Sequence, residues 1–142
     1  LIEMKQMFEK FGNYTNLRVY GVHDKGDIDF DKNHISLGID VLIGTPNRLN
    51  DLFSTAGFDV NQLKMLIVED TDELLRQRFD TKISRIGENI KTQRIFFSEN
   101  HSERLEIFAD RVMIEPAWFD FYENEDEDDE ELEDEDDESE EE

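Results

Sequence analysis

Acidic residues form a tight cluster directly after a short apolar run in the middle of the chain. Glu69, Asp70 and Asp72 place three carboxylates within four positions, and such a group repels itself unless a cation or hydrogen bonds compensate the charge. The cluster is therefore a candidate chemical site. A purely structural interpretation also stays open, because Thr71 or Asp72 can cap a helix that begins near Glu73.

A second candidate site is the sequence GTPNR at residues 44–48, which also follows an apolar run. Thr45 can serve as a helix N-cap, and Pro46 can occupy the first helical position, where its missing N–H costs nothing. The exposed N–H groups of such a helix start, together with Arg48, suit a phosphate group. A plain capped helix start explains the same residues equally well.

The apolar pattern that must position these sites alternates between strand-length runs and helical stripes. Strands are predicted over residues 17–22, 41–43, 65–68, 95–97 and 111–114. Helices are predicted over 2–11 with a C-cap at Gly12, around 35–37, and over 48–53, 74–90 and 104–109. The runs are nearly continuous, which is typical of strands covered on both faces. The alternation predicts an α/β fold with a doubly wound parallel sheet, which binds ligands beyond the carboxyl ends of its strands.

The negative charge of the chain is concentrated at its end. Residues 123–142 contain 17 of the 38 acidic residues and none of the 15 basic ones, so the remaining 21 acidic residues leave a net charge of −6 in residues 1–122. An acidic run of this kind repels itself and buries almost nothing. We therefore predict one domain at 1–122 and a disordered acidic tail at 123–142. Trp118 and its aromatic neighbours are expected to pack against the domain edge, with an anchor for a partner protein as the open alternative.

Features that the sequence lacks narrow the classes of protein to which the chain could belong. The chain has no cysteine, which excludes disulfides and thiolate sites. It has no apolar run near the ~20 residues of a membrane span, and its N-terminus lacks the order of a secretory signal. A cytoplasmic protein that does not contact a membrane is the expectation. The chain begins with Leu1 and not with Met, so we also expect that it was cut from a longer parent.

Taken in order, four segments resemble the C-terminal portion of the first RecA-like domain of the DEAD-box RNA helicases, so the resemblance implies a partial domain of the P-loop NTPase type. They read VYGV, GIDVLIGTPNRLNDLF, LKMLIVEDTDELL and QRIFFSEN. The resemblance runs from residue 1 to about residue 118 without a large insertion. In it GTPNR corresponds to the family's T-P-G-R motif, VEDTD occupies the place of the DEAD box, and SEN that of the S-A-T motif.

The resemblance implies catalytic roles for Glu69, Asp70, Asp72 and Ser98. The first acid of the family's box organises Mg²⁺, the second positions the attacking water, and the last links to the serine of S-A-T. Here Glu69 and Asp70 hold the first two places with their side-chain lengths exchanged. A misplacement of about 1 Å costs about a hundredfold in rate, so we expect impaired hydrolysis. Thr71 stands where the family has alanine.

The resemblance also implies that the RNA backbone is contacted by Gly21, Thr45, Pro46, Asn47 and Arg48. Val22 replaces the second glycine of the family's Gly-Gly motif, and Asn47 replaces the glycine of T-P-G-R. Asparagine tolerates left-handed backbone angles, so the turn is expected to survive. Residues 1–122 are mildly acidic and carry no basic stripe, so RNA affinity is expected to be low and sensitive to salt.

Two classes of function remain open. The sequence contains no G-x-x-x-x-G-K-[ST] loop, so ATP and Mg²⁺ are expected only in a longer parent, and duplex unwinding by this chain alone is not expected. The first class is a divergent helicase core whose parent binds ATP and RNA. The second is a noncatalytic interaction module that keeps the helicase fold and uses its acidic tail to engage basic proteins or to repel nucleic acid.

Overall fold

The computed structural model describes residues 1–55, 61–88 and 90–121. The predicted tail at 123–142, together with residue 122, lies outside the described residues. The helices are α1 (Ile2–Phe11), α2 (Ile28–Ser36), α3 (Pro46–Phe53), α4 (Thr71–Arg76), α5 (Asp80–Glu88) and α6 (Glu103–Val112). The strands are β1 (Val19–Val22), β2 (Val41–Gly44), β3 (Met65–Val68) and β4 (Gln93–Phe96).

The strands pair in parallel, which confirms the predicted α/β class. In the first pair β1 lies beside β2, with Val22 opposite Gly44. In the second pair β3 lies beside β4, with Val68 opposite Phe96. Within the described ranges the two pairs form separate two-stranded ladders, whereas the sequence pattern predicted one doubly wound sheet. Each pair has its candidate site at the carboxyl ends of its strands.

The core of the second pair lies on one face of β3 and β4. Val68 packs there with buried side chains of α4, α5 and α6, while Leu66 and Phe96 border the same cluster. The opposite face of β3 is uncovered, because Met65 is 45% exposed and Ile67 is 44% exposed. The expectation of strands covered on both faces is therefore wrong for β3 within the part of the chain described here. All three of the helices that follow β3 pack on the same side of it.

Two sequence predictions about helices need correction. The predicted last strand at 111–114 is wrong, since α6 continues through Val112 and the N–H of Met113 still donates to Ala109 O at 2.8 Å. Val112 borders the core cluster and its carbonyl accepts from Arg94 Nη1 at 2.8 Å, so tertiary contacts extend the helix. The predicted helix at 74–90 is two helices, because Arg78 adopts a left-handed conformation with φ of 64°. None of the described helices is long and apolar enough to cross a bilayer.

Helix α5 joins the two strand pairs. It packs against α3, which follows β2, and against α6, which follows β4. At the first of these contacts Lys82 Nζ on α5 donates to Asn47 Oδ1 near the start of α3. The helices that follow the two strand pairs are thus in contact through α5.

Candidate functional site

The first two acids of the cluster lie at the open end of β3. Glu69 and Asp70 are both exposed, and within the described ranges neither carboxylate has a hydrogen bond or ion pair with another side chain. Asp70 is the N-cap residue of α4 and has a left-handed backbone with φ of 50°, but its side chain makes no capping bond. Aspartate is one of the few residues that tolerate this region. Both carboxylates are therefore available to a cation or to water.

Thr71 joins the ends of β3 and β4. Its side chain is 0% exposed, and its hydroxyl donates to Phe97 O at 2.9 Å, with Val68 O farther away at 3.3 Å. The N–H of Thr71 donates to the same Phe97 carbonyl at 2.9 Å. The structural interpretation of Thr71 or Asp72 as a cap is wrong, because α4 begins at Thr71 itself. Both hydrogen bonds of Thr71 instead hold two strand ends together.

Asp72 is buried and firmly held. Its carboxylate accepts a hydrogen bond from Ser102 Oγ at 2.5 Å and forms an ion pair with Arg76 Nη2 at 3.0 Å. Its backbone N–H donates to Ser98 Oγ at 3.3 Å, and the Ser98 hydroxyl donates to Asn100 O at 2.8 Å. The resemblance implied a link between Asp72 and Ser98. The structure makes that link through the main chain of Asp72 and assigns its carboxylate to Ser102.

Ser102 is a site residue that the sequence interpretation missed. It is the N-cap of α6, where its hydroxyl oxygen accepts from the N–H of Leu105 at 3.1 Å while its proton goes to Asp72. A serine directly before a helical pattern is a standard cap signal, so the cap itself was readable from the sequence. The sequence did not indicate that the Ser102 hydroxyl would donate to Asp72, which lies 30 residues earlier.

The turn between β2 and α3 has the predicted capping geometry, and its polar side chains also contact a carboxylate that the sequence did not predict there. Thr45 caps α3, accepting from the N–H of Arg48 at 3.4 Å, and Pro46 is at the first position. Thr45 Oγ1 also donates to Asp24 Oδ1 at 2.6 Å, and Asn47 Nδ2 donates to Asp24 Oδ2 at 3.1 Å. These two hydrogen bonds, from Thr45 foremost, lower the pKa of Asp24. An ionised carboxylate therefore spans the turn.

Arg48 points into the protein and is only 7% exposed. Its Nε donates to His23 O at 2.9 Å, and its Nη2 donates to Asp24 O at 3.1 Å and to Gly26 O. Its guanidinium thus holds the loop of residues 23–26 by three carbonyls. The geometry gives Arg48 an architectural role beneath the turn and leaves the turn's surface to Thr45 and Asn47.

A buried carboxylate completes the environment of Arg48. Asp31, on α2, lies 4.0 Å from Arg48 Nε and accepts from the Tyr20 hydroxyl at 2.7 Å. Burial, reinforced by the hydrogen bond to Asp31, raises the pKa of Tyr20 to about 12. Tyr20 therefore stays protonated and acts as a permanent donor to Asp31.

The two residues of the altered Gly-Gly position differ in their surroundings. Gly21 lies half-buried in β1, and a Cβ placed on it would be 3.4 Å from the nearest side-chain atom of Lys5, which leaves ordinary space. Val22 is buried and packs over Gly44, where an added Cβ would come within 2.6 Å of Val22 Cγ2. The valine that replaces a glycine here is therefore a core residue matched to Gly44.

The donor set at the end of β3 suits Mg²⁺ in part. Magnesium is usually held by one or two carboxylates together with substrate phosphates. Glu69 and Asp70 supply two free carboxylates, whereas no cluster of three or more metal-ligating side chains occurs in the described part of the chain. The phosphate-cradling loop is absent from the sequence. Glu69 and Asp70 could therefore hold Mg²⁺ only together with further ligands, such as phosphate oxygens.

Comparisons with known proteins agree with these features. The sequence model described as "DEAD/DEAH box helicase" matches residues 2–103. DEAD-box ATP-dependent RNA helicase 9 of Oryza sativa subsp. japonica is 24% identical over 125 residues, which cover 87% of this chain and 20% of that protein. ATP-dependent RNA helicase DDX1 of Xenopus laevis is 29% identical over 128 residues, which cover 81% of this chain and 17% of that protein. The chain spans about a fifth of the length of these relatives.

Solved structures show the same fold. The yeast DEAD-box splicing factor Prp28 aligns with a TM-score of 0.69 at 17% identity, covering 80% of this chain and 28% of that one. A DEAD box protein from Methanococcus jannaschii aligns with a TM-score of 0.71 at 19% identity, covering 79% of this chain and 31% of that one. The predicted RecA-like fold is thereby confirmed. With the family match extending over residues 2–103, the chain belongs to the DEAD/DEAH box helicase family.

Proposed function

We propose that this chain is the RNA-contacting part of a DEAD-box RNA helicase-like protein in which ATP hydrolysis is reduced or lost. The relatives are named as ATP-dependent RNA helicases, and this chain matches about a fifth of their length. ATP and Mg²⁺ belong, in this proposal, to the longer protein. The part described here contributes the carboxylates Glu69 and Asp70 and the turn between β2 and α3.

The observation that carries the proposal is the contrast within the acidic cluster. Thr71 and Asp72, which connect β3 to the elements after β4, are buried; the Thr71 hydroxyl donates to Phe97 O, and the Asp72 carboxylate accepts from Ser102 and pairs with Arg76. Glu69 and Asp70, which correspond to the reacting end of the family's box, are exposed and exchanged in length. In this proposal, the exchange of side-chain lengths shifts each of the carboxylates that would face Mg²⁺ and water by about one methylene, or ~1 Å, and so slows hydrolysis.

RNA contact rests on the surface of the turn at Thr45 and Asn47. Both side chains carry donors at the start of α3, where the helix dipole favours negative charge. Arg48 supports the turn from below by holding residues 23–26. Because this surface is small and residues 1–122 are mildly acidic, we expect weak binding that falls steeply with salt.

The proposal is tested by titrating the chain with Mg·ATP in a calorimeter and with a labelled single-stranded RNA in an anisotropy assay. We expect no ATP affinity in the micromolar range and weak RNA binding at low salt that disappears near physiological salt. Micromolar ATP binding with turnover would refute the loss of catalysis. RNA binding that is absent at every salt concentration, even without residues 123–142, would refute the RNA contact.

A noncatalytic interaction module is the second candidate, and the aromatic stack before the tail favours it. Trp118 stacks on His101 with ring centroids 4.8 Å apart, and His101 Nε2 lies 2.6 Å from Glu106 Oε1. This stack fixes residue 118 against the loop between β4 and α6, and in the sequence the 17 acidic residues follow from residue 123 onwards. A short Lys/Arg-rich peptide should bind the full chain and not residues 1–122 at low salt. Equal binding to both would exclude a role for the tail.

A further inference from the structure

An internal carboxylate occupies the turn that the family resemblance assigns to RNA. Asp24 follows β1, 21 residues before Thr45, and bridges Thr45 and Asn47 with its two oxygens at 2.6 and 3.1 Å. Two positive groups are also near: Arg48 Nη2 donates to the Asp24 carbonyl at 3.1 Å, and Lys82 Nζ donates to Asn47 Oδ1. The carboxylate therefore takes the donors and the favourable potential that a phosphate group would use at this helix start.

The way the loop is held allows the carboxylate to leave without unfolding the loop. Arg48 fixes the backbone carbonyls of His23, Asp24 and Gly26 from below. The Asp24 side chain itself is at the surface. A rotation about the side-chain bonds of Asp24 thus frees Thr45 and Asn47, while the main chain of residues 23–26 stays in place.

We propose that Asp24 is a built-in competitor for nucleic-acid phosphate, so that a polyanion binds the turn between β2 and α3 only by displacing the Asp24 carboxylate. The inference rests on the proposed RNA contact and specifies what controls it. A phosphate that reaches the turn must break two hydrogen bonds to an ionised group and must also approach its charge. Asp24 therefore lowers the RNA affinity of the turn below the value that the donors of Thr45 and Asn47 would give if they were free.

The test compares two variants that each remove one negative charge. Asp24→Asn keeps the shape of the side chain and removes its charge at the turn. Asp29→Asn is the matched control, because Asp29 lies on α2 with its side chain 86% exposed and only a 4.0 Å contact to Lys32. RNA affinity is measured by anisotropy of a labelled single-stranded oligonucleotide at low salt, and circular dichroism melting verifies that each variant is folded.

We expect Asp24→Asn to tighten RNA binding about tenfold, because hydrogen bonds to a charged group, which RNA would no longer have to displace, are stronger than those to a neutral one. Asp29→Asn should change it less than about twofold, because an exposed charge away from the turn is screened. Adding Thr45→Val to Asp24→Asn should abolish the gain. Equal affinities of Asp24→Asn and Asp29→Asn would overturn the inference and leave the proposed RNA contact standing. Absence of RNA binding by every variant would overturn both.

Discussion

The Arg48 guanidinium lies 4.0 Å from the Asp31 carboxylate, and both side chains are buried beneath the loop of residues 23–26. Arg48 comes from a segment whose resemblance implied RNA contact, yet its donors face the protein's own carbonyls. Asp31 in turn depends on Tyr20 for its hydrogen bond. A motif residue in this chain therefore supports the loop that carries Asp24.

Replacing Arg48 with alanine should strongly destabilise the fold. The substitution leaves the Asp31 carboxylate buried without its cation and three loop carbonyls without their donor, which typically costs about 3–5 kcal/mol. Lys5→Ala is the matched loss of one positive charge, at an exposed i,i+4 pair, and should cost about 0.5 kcal/mol or less. Urea unfolding of the two variants measures the difference. Similar midpoints would mean that Arg48 is not a structural residue.

Thr71 should be more stabilising than the alanine found at its place in the family. Thr71→Ala removes a buried hydroxyl bonded to Phe97 O and leaves a small cavity, at a cost of about 1–2 kcal/mol. Thr71→Ser keeps the hydroxyl and should recover part of that free energy of unfolding. Thr81→Ala, at an exposed position of α5, is the control and should change it little. A Thr71→Ala protein as stable as the parent would contradict the strand-joining role.

Ser102 should matter more than Ser98 to the position of Asp72. Ser102→Ala removes both a charge-assisted bond to a buried carboxylate and a helix cap, for a cost of about 2–3 kcal/mol. Ser98→Ala removes a longer bond to the Asp72 N–H and should cost about 1 kcal/mol or less. Chemical denaturation of both variants gives the comparison. The reverse order would contradict the assignment of the stronger Asp72 contact to Ser102.

Acid should remove the contribution of Asp24 to stability. The folded pKa of Asp24 is lowered by hydrogen bonds from Thr45 and then Asn47, so protons bind more readily to the unfolded chain. Its contribution is therefore fully present above the unfolded pKa of about 3.9 and is lost as the pH falls through the lower folded value. Melting midpoints between pH 7 and pH 3 should decline less steeply in Asp24→Asn than in the parent. Parallel curves would show that the ionised Asp24 carboxylate does not stabilise the fold through its hydrogen bonds to Thr45 and Asn47.

Removing residues 123–142 should leave the melting midpoint almost unchanged and should tighten RNA binding. The segment is nearly all acidic, so it offers little apolar surface to bury, while its 17 carboxylates lower the local concentration of any polyanion. The gain should be largest at low salt, where the screening length grows to about 30 Å at 0.01 M. Calorimetric melting and anisotropy over a salt series measure the two effects. A midpoint lower by many degrees would show that the segment packs on the domain.

Local signals in the sequence determined most of the elements of this protein. Apolar runs marked β1 to β4, and Thr45 before Pro46 marked the start of α3, because caps and side-chain periodicity depend on near neighbours. The order of the motifs was also sufficient to identify the family. The last predicted strand failed because a local apolar run suits a helix end and a strand equally well.

Tertiary structure alone decided which side chains meet at the sites. Asp24 reaches Thr45 across 21 residues, Arg48 reaches His23 across 25, and Ser102 reaches Asp72 across 30. Such partners depend on the parallel pairing of β1 with β2 and of β3 with β4, which the spacing of residues along the chain does not encode. The sequence thus indicated a helix start that suits an anion as well as a plain cap, and the fold determined that the Asp24 carboxylate of the same chain occupies this turn.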